Sequence, residues 1–67
     1  MAAQLEWEGR MLMLGPIMVG EVHPTRAWRY RIAPRQWSQP YQDEADCRQD
    51  LESEVRRLLK EAGVTCE

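Results

Sequence analysis

The stretch TRAWRYRIAPRQW, residues 25–37, decides the fold. Four arginines fall between Arg26 and Arg35, with Trp28 and Tyr30 among them and no acidic residue. As a composition it is a basic, aromatic segment of the kind that holds nucleic acid. As a pattern it separates into two sets. Trp28, Tyr30 and Ile32 share one parity and Arg29 and Arg31 the other, and a β-strand sends alternate side chains to opposite faces. The spacing predicts a half-buried strand over about 27–32, rings toward a core and guanidinium groups outward. Single-strand binders need aromatics and cations on one accessible surface, which this alternation denies.

Working outward, MVGEVH gives a second strand over about 17–23 and RMLML a third over about 10–14, with Gly15-Pro16 as the turn between them. Pro24-Thr25 reads as the break before the arginine strand. Glu6-Trp7-Glu8 reads as an extension of the first strand across Gly9. Because the 10–14 strand is apolar on both sides, either Met11 and Met13 or Leu12 and Leu14 must face away from the core. Residues 33–42, bounded by Pro34 and Pro40, read as a loop. Beyond it the period changes. Cys47, Leu51, Val55, Leu58, Leu59 and Ala62 form one stripe of an amphipathic helix over about 44–62. Asp43 is placed to cap it, Glu44 and Asp46 suit the first turn, and Gly63 supplies the stop. The expected fold is α+β: a single domain, residues 1–67, with a three-stranded antiparallel β-meander followed by one C-terminal amphipathic helix on one sheet face.

Sixty-seven residues bury only about 60% of the surface that the unfolded chain exposes. Chains this small lean on disulfides, metals or self-association. Cys47 lies inside the predicted helix and Cys66 past its end, more than ~20 Å along a helix rising ~1.5 Å per residue. A disulfide needs Cα atoms within about 7 Å, so both read as free thiols, which suits a reducing compartment. The one histidine, His23, and the absence of CxxC or HxxxH spacing imply no metal, and no cofactor motif occurs. No apolar run approaches the ~20 residues of a membrane span. The opening MAAQLEWEGR lacks the pattern of a signal peptide. The expected location is the cytoplasm, the host's if the chain is phage-encoded. No nucleophile elbow or phosphate loop is present, and paired carboxylates on an exposed helix suit no acid–base role. The chain reads as a non-enzyme.

Charge divides the chain. Residues 1–37 hold five arginines against three glutamates, whereas residues 43–54 hold six acids against one arginine. Asp43, Asp46, Asp50 and Glu54 recur at three or four residues and form a row, with Glu44 beside it. Such a row on a rigid rod can imitate a phosphate backbone and engage the cationic groove of a nucleic-acid-binding protein. The alternative surface is the arginine face with its loop: Arg26, Arg29, Arg31, Arg35 and Trp37, with Trp7 at its edge. That face can grip DNA, contact a protein partner or pair with itself as a homodimer. The acidic pI near 5.4 places direct nucleic-acid binding behind protein contact.

Leu12, Leu14, Gly15, Val19, Gly20, Val22, Trp28, Tyr30, Ile32, Tyr41, Glu44, Ala45, Leu51, Glu52, Val55, Leu58, Leu59, Ala62 and Gly63 form a pattern that resembles small phage- and prophage-encoded accessory proteins built as a β-meander with a C-terminal helix. The segment from Tyr41 to Val55 also resembles the last strand and helix of phage-integrase arm-binding domains, whose sheets are more basic. The resemblance implies a short cytoplasmic protein that works by binding. By analogy of size and charge with anti-CRISPR proteins, it implies an inhibitor of a host nucleic-acid-handling complex.

Overall fold

The computed structural model describes residues 4–32 and 36–64. Five elements follow in chain order: β1 (Leu5–Glu8), β2 (Met11–Leu14), β3 (Ile17–Thr25), β4 (Ala27–Arg31) and α1 (Glu44–Glu61). The strands form one antiparallel sheet in the order β1-β2-β3-β4. Helix α1 packs on β3 and β4 across one face.

The sheet holds one strand more than the sequence reading gives. Glu6-Trp7-Glu8 does not prolong β2; it doubles back on it, with Leu5 opposite Leu14 and Trp7 opposite Leu12. Gly9, at φ +62°, is the cause. A two-residue hairpin with glycine first takes a positive φ that other side chains resist. Gly15, at φ +61°, turns β2 into β3 in the same way.

Pro24 does not break β3, which runs on to Thr25 and turns at Arg26. The reason is register. Val22 N donates to Arg10 O on the β2 side, and β2 pairs no further along β3 than Glu21. Two residues on, Pro24 faces the same side past the end of β2, where a missing N–H leaves no carbonyl unpaired.

Parity places Leu12 under the helix and Met11 and Met13 on the far face. Leu12, Val22, Cys47, Leu51 and Val55 are buried, and Trp7, Trp28, Tyr30 and Ile32 pack around them. The aromatic set of the arginine strand is therefore core, although the strand itself ends at Arg31 rather than 32. The register slips between Leu12 and Met13, so Val19 is an extra residue in β3 that also packs toward the core. At Gly20 the helix comes close: a Cβ there would lie 2.9 Å from Leu51 Cδ1 and 3.3 Å from Arg31 O.

The helix begins as the sequence suggests, but Asp43 makes no side-chain capping bond; its carbonyl accepts from Cys47 N. At the other end Gly63, at φ +81°, donates to Lys60 O and Val64 N donates to Leu59 O. These two bonds form a Schellman cap. Ala62 is the exposed cap residue rather than part of the buried stripe. Near this end α1 stands off the sheet, leaving a groove of about 300 Å³ between Ile17 and Ile32 on one side and Leu58 and Leu59 on the other.

Within the predicted loop 33–42, the described residues 36–42 lie against the sheet. Trp28 and Tyr41 exchange backbone bonds, Ser38 N donates to Tyr30 O, and Ser38 Oγ accepts from Tyr30 N. The outer edge of β4 is thereby closed at both residues. Arg35 and Cys66 lie outside the described residues.

Candidate functional site

Strand parity sets which side chains point away from α1. Glu8, Met11, Glu21 and Arg31 stand in one row across β1 to β4, Glu6, Met13 and Met18 in the next, and His23 pairs with Arg29. The open face thus carries carboxylates on β1, thioethers with Glu21 and His23 in the middle and guanidinium groups on β4. Met11 is 38% exposed, and Met13 and Met18 are half-buried.

Trp37 completes this face from the segment beside β4. Its ring lies 4.8 Å from the Arg31 guanidinium and meets the His23 ring edge-on at 5.3 Å. It remains 40% exposed. Arg31 Nη2 donates to Glu21 Oε1 at 2.5 Å, and the other Glu21 oxygen lies 3.6 Å from His23 Nε2. Arg31 Nε is shielded from solvent and has no acceptor among the described residues. Arg31 is therefore held between a carboxylate and an indole, which is not how a phosphate-gripping side chain is kept.

The other tryptophans repeat the arrangement inside the fold. The Arg48 guanidinium lies 4.3 Å from the Trp7 ring, and that of Arg10 lies 5.7 Å from Trp28. Trp7 Nε1 also donates to Glu52 Oε1 at 3.0 Å. Trp7 is thus clasped by the helix and is not at the edge of the arginine face, contrary to the sequence reading. Alternation places it with Leu12 once β1 turns back.

Of the predicted arginine set, Arg29 and Arg31 share the open face with Trp37, while Arg26 is exposed at the β3–β4 turn. Of the acidic set, Asp43, Asp46 and Asp50 are exposed and Glu44 and Glu54 are half-buried. Several are held within the chain. Tyr41 OH donates to Asp50 Oδ2 at 2.7 Å, Arg48 Nε to Glu44 Oε2 at 2.7 Å, and Arg57 to both Glu54 and Glu61. Burial, and then the bond to Asp50, push the Tyr41 phenol up to about 12. Burial, followed by the charge of Glu54, raises Tyr30 as well. The Cys47 thiol is raised chiefly by burial, which disfavours the nucleophilic thiolate.

Sequence reasoning left open whether Met11 and Met13 or Leu12 and Leu14 face outward, and missed Met18 beside them and the partnership of Glu21 with Arg31. The signal was present: once Leu12 is assigned inward, Met11, Met13, Glu6 and Glu8 must share the opposite face. Among the described residues, no group of three or more His, Cys, Asp or Glu is disposed to hold a metal ion, and no helix is long and apolar enough to cross a membrane. Comparison with protein-family models, curated proteins and solved structures finds no match to this chain.

Proposed function

We propose that the protein acts by contact with other proteins, as a small non-catalytic inhibitor or accessory partner of a host complex that handles nucleic acid, and that the open sheet face is a contact surface. One observation carries the choice of protein over nucleic acid: Arg31 is already paired with Glu21 and stacked under Trp37. Trp28 and Tyr30 pack against the core, so neither ring is offered to a base. What the face does present is methionine and tryptophan beside arginine, a composition typical of binding surfaces.

Two measurements test this reading. In a gel-shift series the chain is expected to leave duplex and single-stranded DNA unretarded at moderate salt. Tight binding with a steep salt slope would overturn it. In the second, Met11→Lys/Met13→Lys is expected to lose the proteins that the wild-type chain captures from host lysate while keeping its circular dichroism. Undiminished capture would remove the face from the mechanism.

A second reading is favoured by the bond that Tyr41 makes to Asp50. It fixes an exposed carboxylate in line with Asp43 and Asp46, so the helix offers an ordered acidic edge to a cationic partner. Charge reversal at Asp46, Asp50 and Glu54 is expected to abolish such a contact with the fold intact; unchanged affinity would exclude it.

A further inference from the structure

We propose that the open face of the sheet is covered by a second copy of this chain, related to the first by a twofold axis running along the strands. The proposal rests on the reading of that face as a protein-contact surface and names its occupant. The argument is charge placement. Glu6 and Glu8 lie on β1, Arg29 and Arg31 on β4, and Met11, Met13 and Met18 between them, together with Glu21, whose charge is already met by Arg31, so that Arg29 carries the unmatched charge of the basic edge. A complementary surface must carry guanidinium groups opposite β1, carboxylates opposite β4 and apolar side chains in the middle. This chain carries that surface itself.

Only one orientation brings the two faces into match. Rotation about an axis parallel to the strands sets β1 of one copy over β4 of the other and β2 over β3. Glu8 then meets the arginine edge and Met13 meets Met18. Rotation about an axis across the strands would instead set β1 over β1 and β4 over β4, like charge on like. A twofold contact uses the same patch twice, so each carboxylate–guanidinium contact occurs in duplicate. Sheets pack ~10 Å apart, a gap that flexible methionines fill without a fixed jigsaw. Trp37, stacked on Arg31 at the β4 side, falls at the rim beside the other copy's β1. Four strands at ~4.8 Å spacing make a face only about 19 Å wide, at the small end for a specific interface. The expected dimer is a weak one, in the micromolar range.

Sedimentation and light scattering from about 10 to about 500 µM, which brackets a micromolar constant, read the result directly. The wild-type mass is expected to rise from the 7.9 kDa of one chain toward twice that value. Glu6→Lys/Glu8→Lys and, separately, Arg29→Glu are each expected to weaken self-association at least about tenfold. An equimolar mixture of the two variants should recover a heterodimer, because both contacts are then again of opposite sign. A wild-type chain monomeric throughout overturns the proposal. So does a dimer that neither variant weakens, which would indicate pairing through the β1 edge or another surface. If the chain is monomeric yet Met11→Lys/Met13→Lys still loses its lysate partners, the face binds a different protein: the second copy fails and the contact-surface reading stands. If neither self-association nor capture depends on the face, both fall.

Discussion

At the scale of single residues, Gly20 is the position where the helix and the sheet leave no room. Leu51 occupies the space a side chain would need. Gly20→Val is expected to cost about 1–3 kcal/mol, the usual range for overpacking a core. A denaturant midpoint unchanged by the substitution would show that Leu51 has another place to go. The tyrosines give a second residue-scale prediction. Both phenols lie above their ordinary value of about 10, Tyr41 at about 12. A group whose folded pKa is raised contributes stability in full below the unfolded value and loses it as pH rises through the folded one. Stability is therefore expected to hold steady to about pH 10 and to fall from there toward pH 12, and Tyr41→Phe should flatten that fall. Ultraviolet titration of the two tyrosines checks it; ionisation of both at the ordinary phenol value would contradict the buried, hydrogen-bonded environment.

At the scale of elements, α1 is held by a narrow stripe and a clasp. Leu51 is fully buried against the sheet, and Leu51→Ala is expected to cost about 2–5 kcal/mol. For 67 residues at ~0.05–0.15 kcal/mol each this is a large share of the total, so the variant should melt far below the wild type or fail to fold. The clasp is milder. Glu52→Ala removes the acceptor of Trp7 Nε1 and should cost about 0.5–1.5 kcal/mol, with a change in tryptophan emission. The helix was legible in the sequence because a 3.6-residue stripe over 18 residues has few other readings. The inward turn of Trp28 and Tyr30 was legible from parity alone. Three things were not. Strand β1 was hidden because four residues carry little periodicity, and only the backbone angle at Gly9 reverses the chain. Pro24 looked like a break because the end of its neighbouring strand is a matter of register. The pairing of Ser38 and Tyr41 with β4 uses backbone groups, which leave no mark on residue type. The acidic row was visible as spacing, and Arg57 stands three residues after Glu54 on the same helix, but the bond of Tyr41 to Asp50 depends on how the loop returns to the helix.

At the scale of the whole molecule, the two faces of the sheet have different duties. One is closed by α1, and the other is open and polarised from acid to base across the strands. If two copies join through the open faces, both helices lie outside and their exposed carboxylates point to opposite poles. A partner with a cationic groove would then meet two equivalent acidic edges. This predicts that the charge reversal at Asp46, Asp50 and Glu54 leaves sedimentation of the isolated chain unchanged, whereas Glu6→Lys/Glu8→Lys shifts it. An acidic-helix variant that sediments as monomer would place self-association on the helix instead.

The closed border of β4 has one last consequence. Trp28 and Tyr30 have given their outward amides and carbonyls to Tyr41 and Ser38, and Pro40 in that flanking segment has no N–H to lend. Among the described residues, only β1 still offers a bare rim to an incoming strand. Sheet extension by this protein has a beginning and no continuation: it can add one neighbour and then terminates, so the fold resists running on into a fibril.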